Sequence, residues 1–198
     1  MVDDTRGQAL TLEGISAAII LLAAVGFALQ VTAVTPLSPS TSSQHVESQI
    51  QSTADGALDS AAQDGTLAES VLFWNPDEDR FHNASEDVAH YQGSPPERFP
   101  LSETLERTFD DRNVAYNLFV HYHTDQGRLT RQLVEQGSPS DHAVSASRTL
   151  VVHESDRLVE RDGASGDRLG GSDLYAPNLE TDENLYNLFH VEVVAWRI

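Results

Sequence analysis

"LFHVEVVAWRI", Leu188 to Ile198, decides how this chain is read. Phe189, Val191, Val193 and Ala195 recur at every second residue, the period of a strand, and Val194, Trp196 and Ile198 occupy the other parity in its second half. A strand apolar on both faces needs cover on both, so the stretch predicts an interior strand.

Working outward, "VAYNLFVHYHT" (Val114 to Thr124) is a half-buried strand with Val114, Tyr116, Leu118, Val120 and Tyr122 on one face and Asn117, His121 and His123 on the other. Arg128 to Gln136 and Ala143 to His153 read as further strands, separated by "GSPSD". "VLFWNPDEDRFHN" (Val71 to Asn83) brackets a turn signal with two short apolar runs, which suggests a hairpin. In "LSETLERTF" Leu101, Leu105 and Phe109 stand at helical spacing with Ser102 as the expected cap. "ERDGASGDRLGGSD" reads as a low-complexity Gly- and Asp-rich loop. The C-terminal part is thus an α+β head with a mainly antiparallel sheet of about five or six strands and a short helix.

Upstream, Val46, Ile50, Ala54 and Leu58 form one apolar stripe, predicting a stalk helix from about Gln44 to Ala62 that lies on the head. "TPLSPSTSS" (Thr35 to Ser43) is a Pro/Ser linker or kink. Gly14 to Val34 carries no charge and spans roughly 31 Å at about 1.5 Å per residue, the thickness of a bilayer core. The fold expected is therefore a long N-terminal transmembrane and stalk helix followed by the head. Arg6 precedes the apolar run and the next basic residue is Arg80, which puts the N-terminus in the cytoplasm and the head outside the cell.

The chain of 198 residues has 31 acids against 12 basic residues, all of them Arg, for a net charge of -19. Nucleic acid is excluded as a partner, since phosphate binding needs clustered positive charge. An acidic surface without Lys suits molar salt, where self-repulsion is screened within about 3 Å. With no cysteine, disulfides, thiolate metal sites and cysteine nucleophiles are excluded.

Several residues invite chemistry. His121 and His123 share a strand face, and His190 and Glu192 share another; were those strands neighbours, the four would suit zinc. Alternation alone also yields such a polar, solvated face, and no metal or other cofactor is assigned. Asp162, Asp167 and Asp173 read as a hydrated loop in place of a calcium site, and Ser165 lacks a nucleophile elbow. No catalytic residue follows, and the chain reads as a non-enzyme. Asn83-Ala84-Ser85 is a glycosylation sequon.

A short polar leader, Arg6, Gly7 and an apolar helix with one early acid, Glu13, resemble the class III signal of type IV pilins and archaeal pilin-like proteins. The whole layout, with "WN" in the hairpin, "SRTLVVHESD" and the terminal "VVAWRI", resembles a haloarchaeal pilin-like family of uncharacterised function. The resemblance implies a leader of residues 1–7, a transmembrane or pilin-like helix over 8–34, a linker over 35–43 and an extracellular acidic head over 44–198. It implies cutting by a prepilin peptidase after Gly7 or after Gln8, and a Glu13 that neutralises the new amine of a neighbouring subunit. The expected role is a membrane-anchored surface protein, structural or assembly-related, in an archaeal type IV pilus-like system, with the membrane and other pilin-like subunits as partners. The alternative is a single-span anchored domain that binds a ligand or envelope partner without polymerising.

Overall fold

The computed structural model describes the backbone of residues 4–32, 38–179 and 184–198, and the side chains of 11–27, 44–179 and 184–198. The chain divides into two compact units, Met1–Ser42 and Ser43–Ile198.

The first unit is built on α1 (Asp4–Thr32). Its described side chains, Thr11 to Phe27, are all exposed, among them Leu12 at 70%, Leu22 at 71% and Phe27 at 69%.

The second unit takes in α2 (Ser38–Asp64) from Ser43 onward and then α3 (Thr66–Val71). Pro39 stands in the first turn of α2, where its missing N–H has no helical partner to lose. Ala54, Leu58 and Ala61 fall on one side of α2 and are buried, with Ile50 packed against them. A hairpin of β1 (Trp74–Asn75) and β2 (Arg80–Phe81) follows, then β3 (Tyr91–Gln92) and α4 (Ser102–Thr108). Four long strands complete the main sheet: β4 (Val114–Thr124), β5 (Gly127–Glu135), β6 (Val144–His153) and, at the end of the chain, β9 (Leu185–Arg197). Between β6 and β9, β7 (Arg157–Val159) and β8 (Ser165–Arg168) form a small hairpin.

The sheet order is β3-β5-β4-β9-β6, antiparallel except for β3 against β5. β9 is interior, bonded to β4 on one side and β6 on the other, as its two apolar faces require. Phe189, Val191, Val193 and Ala195 are at most 1% exposed. Around them lies an aromatic cluster in which Tyr175 meets Trp74, Phe81, Tyr122 and Phe189 with ring centroids 5.1 to 6.1 Å apart, mostly edge to face.

Three expectations are corrected. The long N-terminal transmembrane and stalk helix is not found: among the described residues no helix is long and apolar enough to cross a membrane. The expected stalk is the separate helix α2, whose apolar stripe is part of the head's own core. Ser102 does not cap α4; Leu101 holds the cap position, and Ser102 Oγ instead donates to Glu97 O at 2.8 Å. Its own N–H is already taken by Phe99 O at 2.8 Å, so the chain enters the helix through a turn. The Gly- and Asp-rich loop contains strand β8, because Gly163 at φ 86° closes a tight turn that returns the chain onto β7.

Candidate functional site

The sheet's outward face carries the titratable residues the sequence singled out. β4 and β9 are neighbours, and His121 stands directly opposite His190, with ring centroids 5.7 Å apart. Glu192, two residues along β9, accepts from His121 Nε2 at 3.0 Å. His121 Nδ1 in turn meets Thr130 Oγ1 on β5 at 2.7 Å. On the other flank His190 Nδ1 meets Thr149 Oγ1 of β6 at 3.1 Å. A single row thus crosses four strands: Thr130, His121, His190, Thr149.

Partial burial lowers the pKa of His190 below its usual 6.5, and the nearby charges of Arg128 and His121 lower it further while Glu192 opposes them. The row holds the His121 ring between two partners and biases His190 neutral. A hydroxyl, an imidazole and a carboxylate in sequence can pass a proton, yet the face is open, and the peptide groups beneath are engaged in the strand ladders.

His123 does not join the row. Its side chain is exposed, and its peptide is clasped by the buried amide of Asn187, which accepts from His123 N at 3.1 Å and donates to His123 O at 2.9 Å. Among the described residues no group of three or more His, Cys, Asp or Glu is placed to hold a metal ion. Asp162 spends its carboxylate on Ala164 N at 3.0 Å, and Asp167 and Asp173 are exposed. Asn83 is exposed with φ 64°, immediately after β2, so the sequon is accessible. Glu13 is exposed on α1. Gly7 and Gln8 lie in the helical backbone of α1, and their side chains are outside the described residues. The leader's Met1–Asp3 and residues 33–37, the last three of which open the proposed linker, are outside them altogether.

Two features had no signal in the sequence. Arg131 of β5 lies 4.7 Å from the Trp74 ring centre and 5.1 Å from that of Tyr175, a cation held by two aromatic faces. A cleft of about 170 Å³ opens between α2 and the segment after α4, with Val46, Ile50, Phe109 and Val114 below and Arg112 and Arg197 at its rim. No acid lines it. The two guanidinium groups are 85 residues apart in sequence, so only the fold brings them together.

No curated protein and no solved structure matches the chain. Residues 6–195 match a family of unknown function, DUF7288, and the chain belongs to that family.

Proposed function

We propose that this is a pilin-like surface protein with a structural or assembly role and no catalysis, in which α1 is covered by the α1 helices of further copies and the acidic sheet unit is displayed. One observation carries the reading. Leu12, Ile15, Ile19, Ile20, Leu21, Leu22, Val25 and Phe27 are 48% to 71% exposed, on every side of the helix. A helix apolar all round is stable in water only when other apolar surface covers it. Each large side chain covered contributes about 1.5–3 kcal/mol, so eight of them supply a strong drive to associate.

Glu13 is the acid within the apolar stretch of that helix, and its proposed role is to pair with the α-amine that cutting after Gly7 or Gln8 creates in a neighbouring copy. An amine of pKa near 8 buried among apolar helices needs such a partner.

The test compares wild type with Glu13→Gln for N-terminal mass and for filaments sheared from the cell surface. Expected are a shortened N-terminus and filaments in the wild type, with Glu13→Gln processed and folded but unassembled. An uncut N-terminus with monomers in detergent would overturn the reading in favour of an anchored, non-polymerising domain.

A further inference from the structure

β6 is the outer strand of the five-stranded sheet, bonded along one side only, to β9. Which of its peptide groups turn away from the sheet follows from bonds at its two ends. Ser145 O accepts from Gln51 Nε2 at 3.4 Å, and His153 N donates to Asp156 Oδ2 at 2.8 Å, so the odd residues face outward. The far side of β9 gives the same parity. His123 N, on an odd residue of β4, turns toward β9, which leaves the odd residues of β9 to bond the even residues of β6.

Ser147, Thr149 and Val151 therefore present their N–H and C=O groups to the outside, and nothing among the described residues bonds them. Their side chains are exposed as well, Val151 at 54%. Soluble proteins blunt such an edge by shortening it, by proline or by charge. The opposite edge follows that practice, since β3 has two residues. β6 has ten, without proline, and Arg148 is turned to the inner face and engaged in an ion pair with Asp59 of α2.

We propose that this edge is an interface between two copies of the chain, β6 against β6, antiparallel about a two-fold axis through Thr149. In that register Thr149 faces Thr149 and Ser147 faces Val151, so the outward N–H groups of these three residues in one copy meet their outward C=O groups in the other. The ten strands of two heads become one sheet. Charge is what selects a second copy. In a chain of net charge -19 the run from Ala143 to His153 contains no acid, so the two strands meet without like charges opposed. The contact is made by the heads, and it stands or falls separately from the role given to α1.

The full chain in molar KCl, with mild detergent covering α1, is followed by residue-resolved amide hydrogen exchange at rising protein concentration. Exchange at Ser147, Thr149 and Val151 is expected to slow more than about tenfold, while Arg148, Leu150 and Val152, bonded to β9, stay slow throughout. Thr149→Arg places like charges on the axis and should abolish the concentration dependence, as should Thr149→Glu. An equimolar mixture of the two should restore it. Ser147→Pro, whose N–H takes no part in the ladder to β9, is a second variant expected to lose it. Outward amides that exchange freely at every concentration, slowing that does not depend on concentration, or a mixture that fails to recover would overturn the pairing.

Discussion

α1 is apolar on all sides and β9 along its whole inner face, and they end in opposite states. Leu21 in α1 is 65% exposed, whereas Phe189 and Val191 in β9 are fully buried. β9 has its cover inside the chain: β4 and β6 flank it, α2 and the aromatic cluster lie over one face, and the partly buried His row lies over the other. An apolar pattern states a need for cover and leaves its source open. In the strand the source is the rest of the head; in the helix it has to come from outside the described residues.

The largest effect should separate the two regions outright. Truncation before Phe189 removes the partner of both β4 and β6 and is expected to abolish cooperative thermal unfolding of the head. Removal of residues 1–43 should leave that transition in place, by calorimetry. A truncated β9 that still melts cooperatively would break the comparison.

Next in size, Phe189→Ala should destabilise the head by about 3–5 kcal/mol in guanidinium titrations, since the ring is 0% exposed. Ile19→Ala, at 61% exposed, should change the same titration by less than about 0.5 kcal/mol while weakening association.

A smaller effect comes from salt. Raising KCl from dilute to molar should raise the melting temperature of the head, because a net charge of -19 repels itself and is screened. A flat or falling melting temperature would remove the halophilic reading of the composition.

The smallest effect is expected from pH. Burial lowers the pKa of His82 below 6.5, and burial together with Arg128 and His121 does so for His190. The unfolded chain therefore takes up these protons first as pH falls. Stability is fully present above about pH 6.5 and is lost as pH drops through the folded-state values. The melting temperature should be lower at pH 5 than at pH 7.5, and the His82→Gln, His190→Gln double variant should show a shallower slope.

Much of the head was legible because strand alternation is local. Val114 to Thr124 and Leu188 to Ile198 declare their inner faces residue by residue, and both lie in the sheet with those faces buried. Illegible were the features that depend on distant partners. Leu118 pairs with Val134 but Phe119 with Gln132, so Leu133 is an extra residue that shifts the register of β5, and nothing in its sequence marks it. Thr130 and Thr149 looked like ordinary strand residues until β5 and β6 brought their hydroxyls to His121 and His190. The N-terminal reading failed in another way. Length and an uncharged run were taken to make a membrane span, whereas among the described residues no helix is long and apolar enough to cross a membrane.

The placement of the indole rings has a spectroscopic consequence. Trp74 is 1% exposed beneath the guanidinium of Arg131, and Trp196 is 7% exposed near the end of β9. Residues 1–42 contain neither Trp nor Tyr. Intrinsic fluorescence of the intact protein therefore originates in the sheet unit alone, and its emission should shift to the red when that unit unfolds, whatever α1 is doing. Light scattering read beside it would report association, so one sample carries one signal for the folding of the sheet unit and another for assembly.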